Sequence, residues 1–137
     1  MRVKIIKAFL VVFMIFSGGL AFAQAAPSHE QLKKMRTGTF EYLTGLEKGD
    51  MMKRTRNKQY EYDPAIKDKQ VAVLQVKWLS DDEYWLILIK DDRPTAHPPK
   101  GFTIKIKILT VTGDSYTFHW DCDDCKGGGT GSFRKIK

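Results

Sequence analysis

The stretch "VAVLQVKWLSDDEYWLILIK", residues 71–90, decides the fold. Two apolar runs, rich in β-branched and aromatic residues, flank an acidic turn. That is the composition of a β-hairpin. A two-residue turn at Asp81–Asp82 sets Leu79 opposite Tyr84, Trp78 opposite Trp85, Val76 opposite Ile87 and Leu74 opposite Ile89. Side chains alternate faces along a strand. One face of this register therefore carries Leu74, Val76, Trp78, Trp85, Ile87 and Ile89 with no polar member. The other mixes Gln75, Lys77 and Lys90 with Leu79, Tyr84, Leu86 and Leu88. The apolar face, with Trp78 and Trp85 as a cross-strand aromatic pair, is expected at the centre of the core.

The pattern continues on both sides. "GFTIKIKILTVTGDSYTFHW" (101–120) turns at Gly113–Asp114, and its apolar residues change parity between Ile108 and Leu109. A β-bulge near Lys107–Ile108 would let Phe102, Ile104, Ile106 and Ile108 face the core together with Leu109 and Val111. Tyr116, Phe118 and Trp120 alternate in step with them. Upstream, "MMKRTRNKQYEYD" (51–63) reads as a hairpin turning at Asn57–Lys58, with Arg56 opposite Gln59 and Arg54 opposite Glu61. One of its faces is wholly polar: Arg54, Arg56, Gln59 and Glu61. Facing outward, it is a solvated surface whose charge pair contributes well under about 1 kcal/mol. Facing inward, it lines a cavity, where an arginine can hold a carboxylate in bidentate fashion.

Strands are expected near 37–43, 51–56, 59–63, 70–79, 84–90, 101–111, 116–121 and 131–136, separated by turn residues. "PSHEQLKKM" (27–35) has Ser28 as helix N-cap and Gln31 as capping-box partner, so a short helix precedes them. The fold class is all-β, an antiparallel meander of about eight short strands forming a curled sheet or small barrel. Bulges bend such a sheet toward closure. A barrel of this size either fills with side chains or holds one small ligand. The short chain points to a filled or incompletely closed interior.

The first residues have another character. Arg2, Lys4 and Lys7 precede the apolar run "AFLVVFMIFSGGL", and Ala21–Phe22–Ala23 supplies a small-x-small cleavage pattern. This is the three-part form of a secretory signal. The run is shorter than the roughly 20 residues of a spanning helix, so no transmembrane anchor is expected after cleavage. Residues 1–23 are read as the signal peptide, 24–36 as a segment with the short helix, and 37–137 as a single β-domain. Cleavage after Ala23 leaves 114 of the 137 residues and lowers the formal charge from +7 to +4, since three bases and no acid depart. Mild positive charge favours solubility and gives no argument for nucleic acid. A periplasmic or secreted location follows.

That location bears on "HWDCDDCKGGGTGSF" (119–133), which holds both cysteines. In an oxidising compartment Cys122 and Cys125 are expected as a disulfide closing a tight loop. A redox role would need a helix N-terminus. The neighbouring Asp121, Asp123 and Asp124 and the glycines 127–129 oppose one. Zinc on His119, Cys122 and Cys125 has suitable ligand types, but structural zinc sites normally draw on a second, separated pair. No metal ligand set is therefore assigned, and a metal- or thiol-dependent activity at His119, Cys122 and Cys125 stands as the alternative function.

No catalytic residues are assigned either. His97 lies in a proline-rich loop without a nearby nucleophile, His119 lies on a strand, and Asp81, Asp82 and Glu83 form a turn. A triad needs three groups that converge in space.

"RTGTFEY" (36–42), the spacing Arg54…Gln59-x-Glu61, "VKWLSDDEY" (76–84) and "GSFRKIK" (131–137) together resemble a group of small exported lipocalin-like β-domain proteins of Gram-negative bacteria. "GTF" is similar to the opening G-x-W of lipocalins, with Phe40 in place of tryptophan. The resemblance implies a lipocalin-like barrel in a group largely of unknown function; no cofactor is assigned, and a small hydrophobic ligand or a cell-envelope component is the expected kind of partner. In the reading that follows, the protein is a non-catalytic exported binding domain. Arg54, Gln59 and Glu61 form the polar end of its site, and Trp78 and Trp85 form the apolar wall.

Overall fold

Eight antiparallel strands follow one another around a closed barrel in chain order. A computed structural model of the chain describes residues 25–45, 47–66, 69–94, 98–123, 125 and 127–137. The expected signal segment and His97 lie outside them. The elements are α1 (His29–Lys34), β1 (Gly38–Tyr42), β2 (Met51–Arg54), β3 (Lys58–Asp63), β4 (Lys69–Trp78), β5 (Glu83–Asp91), β6 (Thr103–Thr112), β7 (Ser115–Asp121) and β8 (Gly129–Lys135). The choice between curled sheet and barrel is settled where β8 pairs with β1, through Phe40–Lys135, Glu41–Arg134 and Tyr42–Phe133. Closure leaves no unpaired edge.

The meander gives the barrel two unlike ends. Tight turns join β2 to β3, β4 to β5 and β6 to β7 at one end, and the longer connections gather at the other. The helix covers the tight-turn end. It forms as its sequence predicts: Ser28 Oγ accepts from the Gln31 amide, and the Gln31 side chain accepts from the Ser28 amide. Its apolar residue Leu32 and the C-cap Met35 are buried in the barrel core. Arg36, just beyond the helix, donates to Asp81 and lies over the ring of Trp78.

The central hairpin differs from its expected register by one residue, with a large effect. Its loop is Ser80–Asp81–Asp82, closed by the Leu79 amide donating to the Glu83 carbonyl at 2.9 Å. The Ser80 hydroxyl accepts from the Glu83 amide and donates to Asp82. Trp78 therefore pairs with Tyr84, Val76 with Leu86, and Leu74 with Leu88. On β4 the inward face is the expected one, Leu74, Val76 and Trp78. On β5 it is the opposite one: Tyr84, Leu86 and Leu88 are buried, Trp85 and Ile87 face outward half-exposed, and Ile89 is exposed. A three-residue loop reverses parity relative to a two-residue loop. Trp85 instead lies between Lys77 and Lys105, 5.3 and 5.9 Å from its ring centre.

The expected bulge on β6 is present but lies at Leu109, between the pairs Ile108–Phe118 and Thr110–Thr117. Ile106 and Ile108 stay inside, Val111 packs against the core, and Leu109 is exposed. Two further register breaks make Val71 an extra residue of β4 opposite β3 and Ile89 an extra residue of β5 opposite β4. The one at Ile89 turns Asp91 into the barrel mouth.

The strand facing yields a direct prediction. Leu86→Ala should cost about 2–5 kcal/mol, the usual range for truncating a buried leucine. Trp85→Ala should cost about 1 kcal/mol or less, since it removes only outer contacts with lysines. Urea unfolding of the two variants measures both. If Trp85→Ala proves the costlier change, β5 faces the other way.

Candidate functional site

The site begins with the β2–β3 hairpin. Its turn is Arg56–Asn57, one residue earlier than expected, closed by the Thr55 amide donating to the Lys58 carbonyl at 2.8 Å. Arg54 consequently pairs with Gln59, and Met52 with Glu61. Moving the turn by one residue shifts the pairing by two, which preserves parity. Arg54, Gln59 and Glu61 still share a face, and that face points into the barrel. Arg56 departs from the expected set, lying exposed in the turn.

Arg54 is 1% exposed and Gln59 fully buried. A buried guanidinium is tolerated only where its donors are satisfied. Nε donates to the Gln59 side-chain oxygen at 2.9 Å, Nη1 to the Met35 carbonyl at 3.3 Å, and Nη2 to the hydroxyls of Tyr84 and Tyr116 at 2.9 and 3.2 Å. Its plane also approaches the rings of Tyr84 and Phe40, at 4.6 and 5.3 Å. Burial by itself would lower its pKa, but the Tyr116 and Tyr84 hydroxyls outweigh that and hold it above the ordinary arginine value. These contacts come from the segment after α1 and from β1, β3, β5 and β7, so Arg54 ties the helix to the closed end.

A directed chain of hydrogen bonds leads from Arg54 to the interior. Gln59 accepts from Arg54 through its oxygen and so presents its NH2 group to Glu61 Oε1 at 3.1 Å. The Tyr42 hydroxyl donates to the same oxygen at 3.0 Å. Burial, opposed by these two hydrogen bonds and by the charge of Arg93, raises the Glu61 carboxyl above its usual pKa. Burial and the Glu61 carboxylate push Tyr42 well above the ordinary phenol value, so it remains a donor.

Above Glu61 a cavity of about 290 Å³ opens toward the long connections. Its apolar wall includes Leu74, Leu86, Leu88, Ile106, Phe118 and Phe133. Phe118 and Phe133 stack with centres 4.7 Å apart. Gly131 makes room for this arrangement, because a Cβ there would stand 2.5 Å from the Phe118 ring. At the mouth, Arg93 donates to both oxygens of Asp91, whose side chain is fully buried. The interior is thus neither filled nor open along a seam, contrary to what chain length suggests.

Of the expected site residues, Glu61 alone reaches the cavity. Arg54 and Gln59 lie beneath it, supporting the floor that Glu61 forms. Trp78 sits at the closed end, 4.5 Å from the Tyr84 ring and below Arg36, and Trp85 is outside the barrel. Neither tryptophan forms the wall, because the one-residue register change moved Trp85 outward and Trp78 lies too close to the helix end. Leu86, Leu88, Tyr42, Asp91 and Arg93 take their place. The first two were legible as apolar strand residues assigned to the wrong face. Tyr42 bonds to Glu61, and Arg93 acts on it by charge, only once distant strands are brought together, for which the sequence holds no local signal.

Cys122 and Cys125 are joined as a disulfide, with Cα atoms 5.2 Å apart. Both thiols are thereby consumed. His119 points outward and exposed, its backbone opposite Lys107 and Thr130. Among the described residues no three His, Cys, Asp or Glu side chains converge as a metal site.

Two predictions test the floor. Arg54→Ala should cost about 3–5 kcal/mol, since it opens a void and strands the groups that accepted its bonds. Arg54→Lys should recover little, because an ammonium cannot reproduce the planar fork. A loss below about 1 kcal/mol in urea unfolding would show that the guanidinium is dispensable. Glu61 behaves in the opposite sense. Its carboxyl is raised in the folded state, so its ionised form opposes folding above that pKa, and the penalty disappears as the proton binds. Glu61→Gln should therefore be more stable than the parent at neutral pH. The difference should shrink as pH falls through the raised value and vanish near the ordinary glutamate range, about 4.3. Thermal unfolding across pH measures it, and a gap that widens toward acid would refute the assignment.

No protein-family model matches the chain, and no curated protein or solved structure matches it significantly.

Proposed function

We propose that this protein is an exported, non-catalytic barrel that takes one small amphiphile into its interior in the manner of a lipocalin. The observation that carries this reading is the 290 Å³ cavity, apolar along its wall and polar at its floor and mouth. Small-molecule sites typically combine a mainly hydrophobic lining with a few placed polar groups. At about 30 Å³ per water, the volume corresponds to roughly ten waters, and so to a ligand of about ten non-hydrogen atoms. Burying such a ligand's apolar part contributes about 25 cal/mol per Å².

Binding is preferred to chemistry because, Glu61 Oε2 apart, the polar groups of the floor and of the Asp91–Arg93 pair are engaged with one another. Arg54, Gln59, Glu61 and Tyr42 form one chain, and Asp91 with Arg93 forms a second pair. Export rests on the signal pattern of residues 1–23, and the Cys122–Cys125 disulfide suits an oxidising compartment. Among the described residues no helix is long and apolar enough to cross a membrane.

Trp120 lines the cavity, whereas Trp78 and Trp85 do not, so it reports on occupancy. Titrating the purified protein with 1-octanol should change tryptophan emission saturably. Ile104→Phe, which places an extra ring in the wall, should weaken binding at least about tenfold, given what single groups are worth in a fitted pocket. A non-saturating response, equal in the two proteins, would leave a protein that acts through its outer surface.

A further inference from the structure

We infer that the cavity's ligand is an organic ammonium ion, a primary amine on a small apolar tail, held by Glu61. This inference rests on the binding reading just given and assigns the head group.

The direction of the hydrogen bonds at the floor favours a donating head over an anion. Arg54 looks like an anchor for a carboxylate, yet it does not line the cavity. Its donors are used on Gln59, Met35, Tyr84 and Tyr116. Gln59 cannot turn to offer its amide elsewhere without losing Arg54. Tyr42 gives its proton to Glu61. Arg93, the cation at the mouth, is held by three contacts from Nε and Nη2 to the two oxygens of Asp91. The donors at the floor, on Arg54, Gln59 and Tyr42, are therefore engaged, while Arg93 at the mouth commits Nε and Nη2 to Asp91.

An acceptor is available instead. Gln59 and Tyr42 both donate to Oε1 of Glu61. Among the described residues no buried side-chain oxygen or nitrogen lacks a partner, so Oε2, which takes neither bond, is accessible from the cavity that Glu61 lines. A ligand head that donates completes it.

Charge favours a cation over a neutral donor. Among the described residues the lining holds three carboxylates, Glu47, Glu61 and Asp91, and one cation, Arg93. Asp50 and Asp63 stand behind them, close enough that Asp63, Glu47 and Glu61 add to burial in raising the Asp50 carboxyl. In a desolvated site a carboxylate–ammonium contact is stronger than in water, and a charge-assisted bond is about twice a neutral one.

The test compares three ligands with one tail at pH 8, where an alkylamine is still charged: octylamine, 1-octanol and octanoate, by calorimetry on the purified protein. Octylamine should bind at least about tenfold more tightly than octanol, with octanoate weakest. Glu61→Gln should abolish that preference. Equal binding, a preference for octanoate, or an amine preference that survives Glu61→Gln would overturn the head-group assignment and leave the cavity reading intact. Failure of all three ligands to bind the parent protein would overturn both. The comparison on the parent protein stands even if the variant does not fold.

Discussion

Arg54 carries a charge that no working pH removes, and it sits where water does not reach. Burying an ion costs several kcal/mol unless hydrogen bonds replace its hydration. The closed end of the barrel is arranged around that requirement. Gln59 faces it across the hairpin, Tyr84 and Tyr116 bring hydroxyls from β5 and β7, and the chain after α1 offers the Met35 carbonyl. One side chain thus links the helix to strands far apart in sequence. It also explains why β5 faces as it does. Tyr84 must lie inside to reach Arg54, and with alternation Leu86 and Leu88 then lie inside as well.

The same requirement shapes the interior. Because the guanidinium holds the oxygen of Gln59, the amide polarity is fixed and Glu61 receives a donor from below. The polar groups form an ordered series from the closed end to the cavity, rather than isolated buried charges. Upward from Glu61 the wall turns apolar, and Gly131 leaves the space in which Phe118 and Phe133 stack. A side chain at Gly131 would displace that pair and reshape the cavity.

The outer surface bears the other consequence of the register. Trp85, Ile87 and Ile89 form an apolar row on the outside of β5, and Trp85 is covered in part by the stems of Lys77 and Lys105. Long basic side chains shield apolar surface while keeping their charge in water. A strand apolar on both faces reads from sequence like a fully buried one. The difference lies in what the neighbouring strands place beside it.

The amino-acid sequence by itself determined the strand count and order, the capped helix, the turn at Gly113–Asp114 and the shared face of Arg54, Gln59 and Glu61. All of these rest on local periodicity and turn chemistry, which act within a few residues. Only the tertiary structure decided which face of β5 is inside, that β1 and β8 close the barrel, and that the polar face points inward. A loop of three residues rather than two is a small local difference, yet it reverses every side chain beyond it. The inward turn of Arg54 depends on Met35, Tyr84 and Tyr116, which are 19, 30 and 62 residues away. No short stretch contains those partners, because the charge is stabilised only once the barrel has brought them together.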